Sequence, residues 1–413
     1  MIAYSEHVAS VNGDGDPLWR RLDYRAMQSI YLDNNATTKP APEVLAAMTE
    51  AAQSAWANPS SIHRAGQAAR RHVELARESV CGLIGCEDRE LIFTSSGTEA
   101  TNLAILGTLA AQSNRNVLVT SRLEHSAVRE LAESLEERGH EVIWLANDHN
   151  GLVDVDVLRD VLTRRADDIA LVSIMWANNE TGVIQPVREI GALCREHGVP
   201  FYTDATQWVG KMPTDLASEP IDLLTFAAHK FHGPKGVGGL FIKRNLRIES
   251  QMIGGGQERG RRAGTENVAG IVGMGVAAGL AKQWLAANGY ERVAALRNSF
   301  EQRIVETVQD ASINAVDAPR MGDVTNIAFA KLEAEAILLM LSERGVCASA
   351  GAACSSGSVE PSAVLLAMGL APELAFGSIR FSLSRDTTKE EIDRAGEITT
   401  DVVAQLRASF AAV

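Results

Sequence analysis

Between about residue 41 and residue 285, short apolar runs alternate with amphipathic stretches, and this alternation limits the fold more than any other feature of the chain. Runs at 91–94, 117–120, 142–145, 170–175, 200–203, 223–226 and 238–242 read as strands. Stretches at 41–55, 63–83 and 155–162 carry apolar residues at helical spacing. Strands separated by helices predict an α/β unit with a mixed, mostly parallel sheet flanked by helices. In such sheets ligands collect just beyond the carboxyl ends of the strands.

Five predicted strand ends carry polar groups of complementary type. They are Ser95-Ser96-Gly97-Thr98-Glu99, Glu124-His125, Asn178-Asn179-Glu180, Asp204 to Gln207, and His229-Lys230. After about residue 286 the pattern changes to a long helix, short strands and a closing helix, which reads as a smaller α+β domain. Thr388 and Glu391 are spaced as a capping box for that last helix. The expected division is an extension at 1–30, a large domain at 41–285, and a small domain built from 31–40 with 286–413.

Composition narrows the setting. The 413 residues carry a net charge of -13, which argues against direct binding to nucleic acid or to anionic membrane surfaces. No uninterrupted apolar run is long enough to predict a membrane span, and residues 1–30 lack the apolar centre of a signal peptide. Trp19 and Tyr24 are expected to dock that extension on the body. Five cysteines are too few for a disulfide scaffold and point to a reducing cytoplasm. Cys81 and Cys86 lack CxxC spacing and a second pair, so no metal site is expected.

Several residues admit two readings. Lys230 stands at the tip of an apolar pair of runs joined by Gly233-Pro234-Lys235-Gly236. It is either a solvated hairpin lysine or, once desolvated, an amine nucleophile toward aldehydes. The Ser95 to Glu99 stretch opens a helix, so it is either a simple N-cap or a phosphate cradle. Asp204 is a turn residue or the partner of a pyridine nitrogen, and His125 is a core histidine or a face stacked on a cofactor ring. Arg380 holds a carboxylate or lies on an outer strand face, and its neighbour Arg385 is expected at the surface. Cys354 lies among small residues in Ser349-Ala-Gly-Ala-Ala-Cys354, where a reactive thiol is favoured over a packed one. Cys347 follows an apolar residue and reads as structural.

Together these residues resemble the cysteine desulfurases, fold-type I pyridoxal-phosphate (PLP) enzymes related to class V aminotransferases. The resemblance rests on Tyr31-Leu-Asp-Asn-Asn-Ala-Thr-Thr38, Asn58-Pro-Ser-Ser61, Gly97-Thr-Glu99, Glu124-His125 and Met175-Trp-Ala-Asn-Asn-Glu-Thr-Gly182. It continues through Asp204-Ala-Thr-Gln207, His229-Lys230 with Gly233-Pro-Lys-Gly236, Gly260-Arg-Arg-Ala-Gly-Thr-Glu-Asn267 and the Cys354 stretch, so it spans nearly the whole chain after the extension. It is closest to the group I, nitrogen-fixation-type branch.

The resemblance implies conversion of L-cysteine to L-alanine, with the sulfur left as a persulfide on Cys354 for an acceptor protein such as an iron–sulfur scaffold. It implies that Lys230 carries PLP and later moves the Cα proton, while Asp204 pairs with the pyridinium nitrogen and His125 stacks on the ring and acts as acid–base. Gln207 and Asn179 would hydrogen-bond near the ring hydroxyl and the substrate. Gly97, Thr98 and His229 would hold the phosphate, with Thr265 reaching the neighbouring subunit's phosphate in a homodimer. Asn34, Asn35, Ala36 and Arg380 would bind the substrate carboxylate. The chain departs from the family pattern at two places. Ala227 stands in the cofactor site where the family usually has serine, and Ala352 replaces a serine two residues before Cys354.

Overall fold

The fold is given by a computed structural model that describes residues 29–112, 114–351 and 361–411. Most of the extension, with Trp19 and Tyr24, therefore lies outside the described residues, as does Cys354. The strands in chain order are β1 (Ile30–Tyr31), β2 (Leu91–Thr94), β3 (Val117–Ser121), β4 (Glu141–Leu145), β5 (Ile169–Ser173), β6 (Phe201–Asp204), β7 (Leu223–Ala227) and β8 (Gly238–Ile242). They continue with β9 (Gly256–Gln257), β10 (Arg262–Ala263), β11 (Ala311–Ile313), β12 (Val324–Phe329), β13 (Val346–Cys347) and β14 (Ser378–Ser382).

Seven strands form the main sheet in the order β2-β8-β7-β6-β5-β3-β4, in which only β8 runs against its neighbours. β2, β3 and β5 to β8 are buried at every position, whereas the edge strand β4 is mostly half-buried, with Glu141 exposed and Leu145 buried. Burial on both faces explains why these strands read as continuous apolar runs and not as alternating ones. From β3 the chain steps outward to β4, then returns past β3 to lay down β5, β6 and β7 in the other direction. That reversal opens a crevice at the carboxyl ends of the central strands, the place where an open α/β sheet receives a ligand.

Helices α1 (Pro42–Ser54), α2 (Arg64–Ile84), α3 (Gly97–Ala111), α4 (Ser126–Glu137), α5 (Val155–Arg165) and α6 (Val187–Glu196) flank the sheet. α7 (Val268–Ala286) is the one described helix long and apolar enough to cross a membrane, and it packs against α1 and α2 as a core helix. A second apolar core gathers Leu32, Phe300, Phe329, Ile337, Phe381, Ile392 and Val402. It lies among α8 (Gly289–Thr307), α9 (Ala334–Glu343), the closing helix Lys389–Ala411 and the antiparallel sheet β11-β12-β14. The closing helix starts on a reciprocal cap, with Glu391 N–H donating to Thr388 Oγ1 (3.2 Å) and Thr388 N–H donating to Glu391 Oε2 (2.9 Å).

The segment after β1 joins the two cores. Leu32 belongs to the second core, Asn35 N–H donates to Ser382 Oγ (2.9 Å), and Thr38 N–H donates to the His229 carbonyl (2.8 Å). Asn35 and Ala36 are thereby laid across the carboxyl end of β7.

Candidate active site

β7 ends in a single 3-10 turn, Ala228–Lys230, and this turn presents Lys230. Lys230 Nζ donates to the carbonyl oxygens of Asn35 (2.6 Å) and Ala36 (2.9 Å). A cavity of about 220 Å³ opens in front of it. Its walls include Ala36, Gly97, Thr98, His125, Asn179, Asp204, Gln207, Ala227, His229 and Lys230, so ten of the fifteen sequence-predicted residues come together.

One end of the cavity suits an anion. Ser96 caps α3 by accepting the Glu99 N–H at 3.1 Å. The first-turn N–H groups of Gly97 and Thr98 have no intrahelical acceptor, so the positive end of the helix faces the cavity. The Thr206 hydroxyl lies at the same end and has no hydrogen-bond partner among the described residues. His229 Nδ1 meets Thr37 Oγ1 at 3.1 Å. Burial, and then Lys230, Lys235 and Lys211, push the His229 imidazole down to about 4, so it is neutral at pH 7.

The other end carries acid–base groups. Asp204, at the end of β6, is 6% exposed and accepts the Thr206 N–H on Oδ1 at 2.9 Å. His125 caps α4 by accepting the Ala127 N–H on Nδ1 (3.1 Å), which leaves the proton of the neutral ring on Nε2. Burial holds the His125 pKa below its ordinary value against the pull of Asp204, and Lys230 and Arg129 add to the lowering. Behind it, Glu124 is fully buried with one oxygen on the Met175 N–H (2.8 Å) and the other unpartnered. Burial raises that carboxyl well above its usual range, against the Met175 N–H that lowers it.

Two further buried polar atoms lack partners among the described residues: Asn179 Oδ1 and Arg380 Nε. Arg380 itself is 1% exposed, with Nη1 on the Asn179 carbonyl (3.1 Å) and Nη2 on Asp33 Oδ1 (2.7 Å). Asp33 was not foreseen as its partner, although it sits within the Tyr31 to Thr38 motif.

Among the described residues, four that were expected at the site do not line the cavity. Arg380 stands behind Asn179. Asn35 donates from Nδ2 to the Asn179 carbonyl at 3.1 Å. Asn34 spends its amide hydrogens on the carbonyls of Tyr31 (3.0 Å) and Ser382 (2.9 Å), so its side chain fastens backbone. Thr265 lines a separate pocket with Arg262 and Ser95, and Cys354 lies outside the described residues. The expectation of a surface Arg385 is corrected. Its side chain is 15% exposed and lines a cavity of about 190 Å³ beside Trp284 and Tyr290.

This donor set fits PLP. Helix N–H groups and the Thr206 hydroxyl suit its phosphate, the Asp204 carboxylate suits a protonated ring nitrogen, and the Lys230 amine suits its aldehyde carbon. The orphan Asn179 Oδ1 calls for a donor from whatever the cavity holds.

Residues 30–395 match the family model described as aminotransferase class-V. The chain belongs to the class-V aminotransferase family. Within that family it is 46% identical over 382 residues to "Cysteine desulfurase 2" of Trichormus variabilis, covering 92% of this chain and 95% of that protein. It is equally 46% identical to "Cysteine desulfurase NifS" of Azotobacter vinelandii, covering 92% and 94%. A solved structure titled "NIFS-LIKE PROTEIN" superposes with a TM-score of 0.84 at 32% identity, covering 91% of this chain and 99% of that one. The class-V aminotransferase assignment makes the architecture above the fold-type I arrangement.

Proposed function

We propose that this class-V aminotransferase is a PLP-dependent cysteine desulfurase. It converts L-cysteine to L-alanine and leaves the sulfur as a persulfide on Cys354 for an acceptor protein. The observation that carries this reading is the meeting of Lys230, Asp204, His125 and the α3 N-terminus around one cavity, in a chain so similar to named cysteine desulfurases.

When bound, PLP supplies an aldehyde for the substrate amine and a protonated ring that accepts the electron pair left on Cα. Lys230 holds the cofactor through its amine and afterwards moves the Cα proton within the cavity. Asp204 keeps the ring nitrogen protonated, and its 6% exposure keeps water from screening that charge. Neutral His125, with Nε2–H available, moves a proton at the substrate. The Arg380 Nε, unpartnered among the described residues, orients the substrate carboxylate. The Cys354 thiolate forms an S–S bond with the substrate sulfur as the Cβ–S bond breaks, and Cβ takes up a proton. L-cysteine plus thiol thus gives L-alanine plus persulfide with no external oxidant.

The reading includes a large domain at 41–285 and a small domain at 31–40 with 286–413, supported by the two apolar cores. It also includes a homodimer in which Thr265 serves the neighbouring site. Exposed Trp56, Ile62 and Ile253 flank segments tied by a Ser60 to Gln257 hydrogen bond (2.6 Å), an apolar surface of the kind a partner copy covers. The chain's low cysteine content and negative charge support a cytoplasmic site of action. Purified protein reconstituted with PLP and given L-cysteine and a thiol reductant is expected to release alanine and sulfide in equal amounts. Alanine without sulfide, or neither, would overturn the reading.

A further inference from the structure

Lys211 was not among the residues singled out in the sequence, yet three groups converge on its ammonium. It donates to Asn35 Oδ1 at 2.7 Å, to Gln207 Oε1 at 2.8 Å, and pairs with Asp323 Oδ2 at 2.8 Å. The side chain is only 11% exposed and Asp323 only 13%. Its position is set by the backbone. Gly210 has φ of +78°, and a β-carbon there would lie 2.5 Å from Phe231 Cβ, so only glycine lets this turn press against the residue that follows Lys230.

An ammonium has three hydrogens and no lone pair. Beside it, the amide oxygens of Asn35 and Gln207 are obliged to face Lys211 and their nitrogens to face elsewhere. Asn35 Nδ2 then donates to the Asn179 carbonyl (3.1 Å) and Gln207 Nε2 to the Asn35 carbonyl (3.0 Å). That same Asn35 carbonyl receives Lys230 Nζ at 2.6 Å. The second Nε2 hydrogen of Gln207 remains for the contents of the cavity its side chain lines.

We propose that Lys211 is a positioning residue that fixes the amide orientation of Gln207 and Asn35. It thereby guarantees an N–H donor toward an anionic oxygen on the cofactor ring and a carbonyl ready for Lys230. Asp323 balances the buried charge, while the orientation of the two amides rests on the hydrogens of the lysine itself. This inference rests on the cavity taking PLP.

Four proteins are compared: wild type, Lys211→Met, Lys211→Arg and Asp323→Ala. Each is titrated with PLP and its visible band is followed against pH. Both the cation and the donated N–H favour the deprotonated cofactor, so Lys211→Met is expected to raise the pH midpoint of the band by about one unit or more. It is expected to weaken PLP binding about 10-fold or more and to raise KM for cysteine more than it lowers kcat. Lys211→Arg restores most of each property. Asp323→Ala lowers Tm as Lys211→Met does, but leaves the band midpoint unraised and PLP affinity within about twofold of wild type. If Lys211→Met does not fold, Lys211→Gln carries the same comparison. The inference is overturned if the lysine variants match wild type in band midpoint and affinity, or if Asp323→Ala reproduces both changes. Failure of the wild type to bind PLP would instead overturn the functional reading beneath it.

Discussion

Thr206 and Ala227 face one point of the anion pocket, where a β-carbon built on Gly97 would lie 3.4 Å from Thr206 Oγ1 and 3.6 Å from Ala227 Cβ. Ala227 brings only a methyl to this point, and the Thr206 hydroxyl beside it is unpartnered among the described residues. It is therefore free to donate to a phosphate held at the α3 N-terminus. Thr206→Val, nearly isosteric, is expected to speed PLP loss on dialysis about 10-fold, the effect of one lost hydrogen bond to a charged group. Ala227→Ser should slow the loss in wild type and rescue Thr206→Val. Unchanged dissociation in Thr206→Val would assign the contact to another group.

The histidines of the site set a pH dependence of stability. His229 titrates near 6.5 when unfolded and near 4 when folded, so between these values the unfolded chain binds a proton that the folded chain refuses. Its contribution is complete above 6.5 and is lost as pH falls through that window. Buried Glu124 and Glu180 work the other way, since burial raises their folded pKa values and their contribution is lost as pH rises. Only a difference isolates the histidine. The Tm of wild type is expected to fall relative to His229→Asn between pH 7 and 5, and parallel curves would contradict this.

What was legible in the sequence follows from which signals are local. β2 and β8 begin and end where their apolar runs do, and the Thr388–Glu391 cap is a short-range pattern that the structure repeats. Residues at strand ends, from Thr98 to Lys230, were legible because the sheet carries every such end to one edge. Lys211 was not, because its meaning lies in Asn35 and Asp323, which are 176 residues upstream and far downstream. Arg385 was misplaced for a related reason. Strand alternation says nothing of the cavity Arg385 shares with Trp284 of α7 and Tyr290 of α8. Asn34 was read as a ligand group by motif, while its real acceptors, the carbonyls of Tyr31 and Ser382, are set by tertiary pairing.

A buried ion pair supports the ribbon of β9 and β10. Arg77 meets Glu258 at 2.9 and 3.1 Å, and Phe93 N–H donates to the same carboxylate at 3.1 Å. Both side chains are almost wholly buried, 4% and 2% exposed. Glu258→Ala leaves the buried Arg77 guanidinium with only the partly exposed Glu74 (3.3 Å) and the Leu91 carbonyl (2.8 Å), and is expected to cost roughly 3–5 kcal/mol in chemical unfolding. The paired replacement Arg77→Met with Glu258→Met should recover most of that loss. A single variant as stable as wild type would contradict the assignment.

Lys230→Ala is expected to abolish alanine production while the protein stays folded, because the amine contacts carbonyls in a cavity and not the apolar core. Circular dichroism and a turnover assay check the two halves. Alanine formed by this variant would remove Lys230 from its proposed role.

The most direct test of the account separates Cys354 from Cys347. Cys347 is half-buried in β13, and burial, followed by Asp33, raises its pKa, so it is a poor thiolate. Cys354→Ser and Cys347→Ser are each loaded with PLP and given L-cysteine under reductant, and both the change in the visible band and alanine are measured. The account predicts that Cys354→Ser still shifts its band on meeting cysteine yet forms almost no alanine, while Cys347→Ser keeps both. Full alanine production by Cys354→Ser, or loss of alanine in Cys347→Ser alone, would contradict it.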